Sequence, residues 1–390
     1  MIALSRRSLL INLAAASLSS ALPRISVAAG PTPLPLKVAA RSPWMANQVA
    51  LTRDNVMFLG LPRYTKDKST PSLARRDASG KFQPFPGNAW NEWQPGKDGT
   101  NAFVYLNSVH IFADDTVWCV DQGSLSAGVF SAADAVPQPG AQKLVQLDAR
   151  SGEILRILRF DETILPAGAQ MNDMRFHGST LYLSDSGLGG IIVHDMQSGR
   201  TLRRLSGASV VKASAAKIPS ILAHVKGGKT FHLPNSDLLE ITADGKWLYW
   251  AAPTGPLYRI ETRWLKDRSL TDPQLEQHVE QVYANNFAGG CCMDSRGNVY
   301  FSETVTGNIT LLSPEGKTAV IASSPSLIRP DGTFISADRK LYIPVKQPIP
   351  DASSPDTPFV IYSVALPESF AGIPIGGAVE GRESPPLPSH

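Results

Sequence analysis

The sequence predicts an all-β chain folded as a six-bladed β-propeller of four-stranded antiparallel blades. Three observations carry that reading. The first is residues 172–205, NDMRFHGSTLYLSDSGLGGIIVHDMQSGRTLRRL, where four short apolar runs alternate with turns rich in Gly, Ser and Asp. The second is recurrence. An aromatic residue within an apolar run follows a polar turn at Phe58, Trp118, Tyr182, Tyr249, Tyr300 and Tyr342. The third is a strand that runs into a glycine turn and then another strand. It recurs at Arg150-Ser151-Gly152, Gln197-Ser198-Gly199 and Pro314-Glu315-Gly316. One such sheet cannot bury both faces by itself, so units of this kind stack on one another. The unequal repeats disfavour a β-helix, and no linker divides the chain into two sandwiches.

Composition agrees. The chain has 390 residues, 43% hydrophobic and 18% charged, which fits a globular protein rather than a disordered one. Glycine and proline, at 31 each, suit a turn-dense β fold. A net charge of +3 with no long basic run gives no footprint for nucleic acid.

In chain order, Ser5-Arg6-Arg7-Ser8-Leu9-Leu10 opens a short apolar run, and Ser26-Val27-Ala28 has the small residues a signal peptidase reads. Residues 1–28 therefore read as a twin-arginine-like signal peptide, and the protein as periplasmic or secreted. The propeller is expected over 29–375 and a loose tail over 376–390. No later stretch is long and apolar enough to span a bilayer, and a monomer is expected. Insertions are expected at 63–101, 122–142 and 206–235, the last helix-like at 214–225, with a short helix within 264–282. The three cysteines, Cys119, Cys291 and Cys292, form no CxxC and read as small buried thiols.

Ordered blocks along the chain resemble the major royal jelly protein and Yellow family. They are Val56-Met57-Phe58-Leu59-Gly60-Leu61-Pro62-Arg63-Tyr64, Pro84-Phe85-Pro86-Gly87-Asn88-Ala89-Trp90-Asn91, Val117-Trp118-Cys119-Val120-Asp121-Gln122-Gly123, Asn172-Asp173-Met174, Tyr182-Leu183-Ser184-Asp185-Ser186, Asp244-Gly245-Lys246-Trp247-Leu248-Tyr249 and Arg329-Pro330-Asp331-Gly332. Two departures stand out: Leu238 replaces an expected Gly, and Gly289-Gly290-Cys291 replaces a Ser-Asp-Gly. The resemblance implies a six-bladed propeller that binds a small molecule, in some members an aromatic amine, in its central channel. A more distant resemblance, to the gluconolactonase and senescence-marker propellers, implies a divalent cation in that channel.

Polar residues just ahead of the innermost strands converge on a propeller axis. Here they are Asn47, Asn107, Asn172 with Asp173, Ser236 with Asp237, Gly289-Gly290 and Asp331. An oxygen-rich ring suits calcium, with Asn172, Asp237 and Asp331 as the candidate ligands. A cation there could polarise a lactone carbonyl while Asp173, Asp237 or Asp331 activates water, which is the alternative, catalytic reading: a calcium-dependent lactonase-like hydrolase, or an isomerase of the tautomerase kind, acting at the same channel. Without a metal the channel would bind a small-molecule ligand or substrate through Asn107, His110, Asn172, Asp185 and His232. Asn and Asp at strand starts also cap turns, which is the plainer role for each taken singly. Trp90, Trp93 and Phe103 could line a site, but packing of the loop is expected. No HExxH, GxSxG or dinucleotide fingerprint occurs.

Overall fold

The computed structural model describes residues 32–62, 70–124, 139–217, 233–349 and 351–379. Strand β1 (Lys37–Ser42) comes first and is paired last, as described below. Blade one is β2 (Gln48–Leu51), β3 (Met57–Gly60), β4 (Leu73–Arg76) and β5 (Phe82–Pro84). Blade two is β6 (Leu106–Ile111), β7 (Val117–Asp121), β8 (Lys143–Leu147) and β9 (Ile154–Leu158). Blade three is β10 (Met171–His177), β11 (Thr180–Asp185), β12 (Gly190–Asp195) and β13 (Thr201–Arg204). Blade four is β14 (Leu238–Ile241), β15 (Trp247–Ala251), β16 (Leu257–Glu261) and β17 (Glu280–Tyr283). Blade five is β18 (Ala288–Met293), β19 (Val299–Glu303), β20 (Asn308–Leu312) and β21 (Thr318–Ser323). Blade six has β22 (Phe334–Ile335), β23 (Lys340–Pro344) and β24 (Phe359–Ala365), and its fourth strand is β1.

All pairings within the blades are antiparallel, as the sequence predicts. Burial falls outward: β6, β7 and β8 are buried at every residue, whereas β9 is half-exposed throughout. Apolar clusters bridge each neighbouring pair of blades. Phe112, Trp118 and Leu144 of blade two meet Met174, Phe176 and Leu183 of blade three. Ala40, Val49 and Leu59 meet Tyr342 and Ile361 where blade one follows blade six. The core is therefore a ring of interfaces rather than one central mass, and its centre is left to polar groups.

The turns follow the sequence. Asp148 Oδ1 accepts from the Arg150 and Ser151 amides before Gly152, and Asp195 Oδ1 accepts from Gln197 and Ser198 before Gly199. Both glycines take positive φ (76° and 69°), where a side chain would be strained. Two short helices, Thr262–Lys266 and Asp272–Glu276, join β16 to β17 where one was expected.

Closure was not anticipated. The last strand expected, in the 359–362 run, is third in its blade, and the outer strand is Lys37–Ser42, ahead of the first blade, where no strand was expected. Lys37 pairs with Ser363 and Ser42 with Phe359. The tail expected to be loose from 376 is held as far as 379: the Gly376 amide donates to Asp294 Oδ2 at 2.9 Å, and Asp294 bridges to Ala378. The expected signal peptide, His232, most of the 122–142 insertion and residues 380–390 lie outside the described residues. Among the described residues, no helix is long and apolar enough to cross a membrane.

Candidate functional site

The innermost strands all run the same way, so their starts meet at one end of the channel. There a hydrogen-bonded ring forms. Asn47 Nδ2 donates to the Asn107 carbonyl at 3.0 Å, and Asn107 Nδ2 donates to Asn172 Oδ1 at 2.9 Å. Ser184 Oγ donates to the Asp237 carbonyl at 3.0 Å, and Ser302 Oγ to the Asp331 carbonyl at 2.6 Å. The Ala288 amide donates to the Pro253 carbonyl at 3.0 Å between blades five and four, and the Gly332 amide closes the circle on the Asn47 carbonyl at 2.9 Å. Gly289-Gly290 is explained by space: a Cβ on Gly289 would lie 2.4 Å from the Pro330 carbonyl oxygen, and one on Gly290 2.8 Å from the Gly332 Cα. A Ser-Asp pair cannot fit where blades five and six approach this closely.

Three carboxyls face this region in different states. Asp173 Oδ1 lies 2.6 Å from Arg175 Nη1 and 2.8 Å from His110 Nε2, and Arg175 Nη2 lies 2.7 Å from Glu240 Oε1. Burial alone would raise Asp173, but the Arg175 charge, then His110, outweigh it and hold the carboxyl at about 2. Asp237 is the opposite case. Burial, then the Asp331 charge, push it well above the usual carboxylate range, and Lys346 draws it back only in part. No donor among the described residues hydrogen-bonds its carboxyl. Asp331 is raised by burial against the pull of Lys346, whose ammonium is ion-paired to Asp331 Oδ2.

This arrangement does not fit the expected calcium site of Asn172, Asp237 and Asp331. The three residues do reach one end of the channel, but the cation seated on Asp331 is the chain's own Lys346. The Asn47 and Asn107 amides turn N–H groups toward their neighbours, and blade five offers glycine. Calcium takes six to eight oxygens. Among the described residues, no group of three or more His, Cys, Asp or Glu side chains is placed to hold a metal.

Of the expected ligand-binding residues, Asn107 and Asn172 lie in the ring and His110 touches Asp173. Asp185 is not brought in: its Oδ1 accepts the Gln170 and Gly187 amides at 2.8 and 2.9 Å, and its Oδ2 takes Arg203 Nη2 at 2.6 Å. Asp121 does the same work in blade two, capping the Val104 and Tyr105 amides and pairing with the fully buried Lys143 at 2.8 Å. Trp93 donates its indole N–H to the Lys97 carbonyl, and Trp90 packs edge-on to Phe103, so these aromatics fasten their loop as expected. All three cysteines are free and buried, and burial pushes the Cys119 and Cys291 thiols up, away from thiolate chemistry. Sequence reasoning missed Arg175, Glu240 and Lys346. A signal existed for two of them: Arg175 in Met174-Arg175-Phe176 and Glu240 in Leu239-Glu240-Ile241 are charges inside apolar innermost strands.

Fold and site together define a six-bladed propeller with a polar, closed-in channel end. The sequence profile of the major royal jelly protein family matches residues 107–320, more than half of the chain. The chain belongs to that family. No curated protein matches it in sequence. Among solved structures it is similar to a gluconolactonase from Xanthomonas campestris, with 12% identity and a TM-score of 0.50 over 88% of this chain and 93% of that one. It is also similar to a calcium-binding protein, regucalcin, from Agrobacterium tumefaciens, with 12% identity and a TM-score of 0.51 over 90% and 99%. At such identities the likeness is one of fold alone.

Proposed function

We propose that this protein binds a small amine-bearing molecule at the channel end ringed by Asp173, Asp237 and Asp331, without a metal ion. The observation that carries the reading is Asp237. It is a carboxyl in the channel wall, raised by burial and by Asp331, with no hydrogen-bond donor among the described residues. Asp173 and Asp331 each have a cationic side chain of their own. A ligand ammonium would supply to Asp237 what Arg175 and Lys346 supply to the other two, and would draw it into the ionised state. Affinity should therefore weaken on acidification through the raised Asp237 range. Export, inferred from Arg6-Arg7, is part of the same proposal, and cell fractionation tests it separately.

The test is calorimetric titration of the whole protein with tyramine and tryptamine. Binding that falls at least about tenfold (about 1.4 kcal/mol) in Asp237→Asn supports the reading. Two results overturn it: binding unchanged by Asp237→Asn, or hydrolysis of glucono-1,5-lactone that EDTA abolishes, which would favour the calcium-dependent lactonase instead.

A further inference from the structure

We propose a second binding site at the opposite mouth of the channel, suited to a small organic carboxylate with a flat apolar body. A cavity of about 650 Å³ opens there, among the turns that join the first and second strands of blades one, two, five and six. Its size is that of a small-molecule pocket. His110, Arg175 and Glu240 line its inner end. The first two also touch Asp173, so this charged network stands between the cavity and the ring already described.

The lining selects the ligand. Phe112, Met293, Phe334 and Val379 give apolar walls. Arg53 lines the cavity and is exposed. Its Nη2 donates to the Ala113 carbonyl at 2.9 Å, while Asp115 takes the Arg53 backbone amide instead of its guanidinium. No carboxylate among the described residues pairs with that guanidinium. Deeper in, Thr333 is 2% exposed, and neither its Oγ1 nor Arg175 Nε has a hydrogen-bond partner among the described residues. Of the arginines in the lining, Arg175 is paired with Asp173 and Glu240 and Arg339 with Glu368, so Arg53 is the lining arginine left for a ligand anion among the described residues. A carboxylate at Arg53 would gain charge-assisted hydrogen bonds.

One wall is the C-terminal segment 377–379, which is built in rather than draped. The Ser295 amide donates to the Gly377 carbonyl at 2.9 Å. A Cβ on Gly376 would lie 2.5 Å from Ser295 Oγ, so glycine is what lets the segment reach the cavity.

The experiment is titration of the whole protein with benzoate and indole-3-acetate, followed by calorimetry and ligand-observed NMR. Indole-3-acetate should bind, and Arg53→Ala should weaken it at least about tenfold. Ala378→Trp, which crowds the mouth, should also weaken it, and Asp237→Asn should leave it unchanged. Arg53 is exposed, so its variant separates lost binding from lost folding, with an unchanged melting curve as the check. No binding of either carboxylate at millimolar concentration overturns the proposal. So does binding that survives Arg53→Ala and Ala378→Trp but is lost in Asp237→Asn.

Discussion

Replacing Lys346 by methionine removes the ammonium from Asp331 while keeping most of the side chain's bulk. The two side chains are only 9% and 12% exposed, so water screens the pair little. Breaking a buried pair from one side costs about 3–5 kcal/mol when the remaining charge stays ionised. Asp331 has another route, which is to take up a proton. That costs about 1.4 kcal/mol for each pH unit above its ordinary value of 3.8, hence about 1.6 kcal/mol at pH 5 and more than about 5 at pH 8. The cheaper route wins at each pH, and wild-type Asp331 is itself already raised, so the deficit should be at most about 1.6 kcal/mol at pH 5 and about 3–5 at pH 8. The sign follows from proton uptake. An acid whose folded value is raised binds more protons folded than unfolded, so stability falls as pH rises from 3.8 through the folded value. Asp237 nearby adds to the fall. Urea denaturation of wild type and Lys346→Met at the two pH values measures it. Equal deficits at both pH values, or none at pH 8, would refute the assignment of Lys346 as the channel's internal counter-cation.

Three further outcomes are expected. Asp173, held at about 2 against an ordinary 3.8, contributes about 2 kcal/mol that is present above pH 4 and lost as pH falls towards 2; urea midpoints from pH 2 to 6 should therefore fall more steeply for wild type than for Asp173→Asn, and parallel curves would count against the network. Lys143→Met leaves Asp121 buried without the ammonium that also reaches the Gly99, Ala102 and Ala141 carbonyls, and should lose about 3–5 kcal/mol in urea unfolding; a loss under about 1 kcal/mol contradicts the geometry. A chain beginning at Pro43 lacks β1 and bares the edge of β24, so it should lose its cooperative melt; a transition within about 3 °C of wild type would show that closure is dispensable.

Most of the blades were legible because their causes are local; the outer strands of blade one, β4 and β5, instead lie in the 63–101 stretch that reads as an insertion. Alternation in Leu181-Tyr182-Leu183-Ser184, the Asx turn at Asp195 and the glycines that follow are properties of neighbouring residues, and they repeat. The ring of Asn47, Asn107, Asn172, Asp237 and Asp331 was legible for a related reason: in a propeller, position ahead of an innermost strand is position at the channel. The role of each acid was less legible. Asp173 near the start of β10 and Asp185 at the end of β11 lie in adjacent strands of one blade, yet Asp185 binds amides and Arg203 while Asp173 faces the channel. Which way each carboxyl turns depends on the cation it meets, Arg203 of the outermost strand for Asp185, and Arg175 of its own strand with His110 of blade two for Asp173.

Sequence alone thus determined that this chain is built of six antiparallel units, where their turns lie, and that oxygen-bearing side chains gather at one end of their axis. Only the tertiary structure decided how the ring closes, with Lys37–Ser42 completing the blade that ends the chain. Only it decided that the acids at the centre meet Arg175 and Lys346 rather than an array open to calcium. The physical reason is that strand formation is written in near neighbours, whereas ion pairing inside a channel depends on side chains from different blades, such as Arg175 and Glu240, 65 residues apart, brought to within hydrogen-bond distance by closure itself.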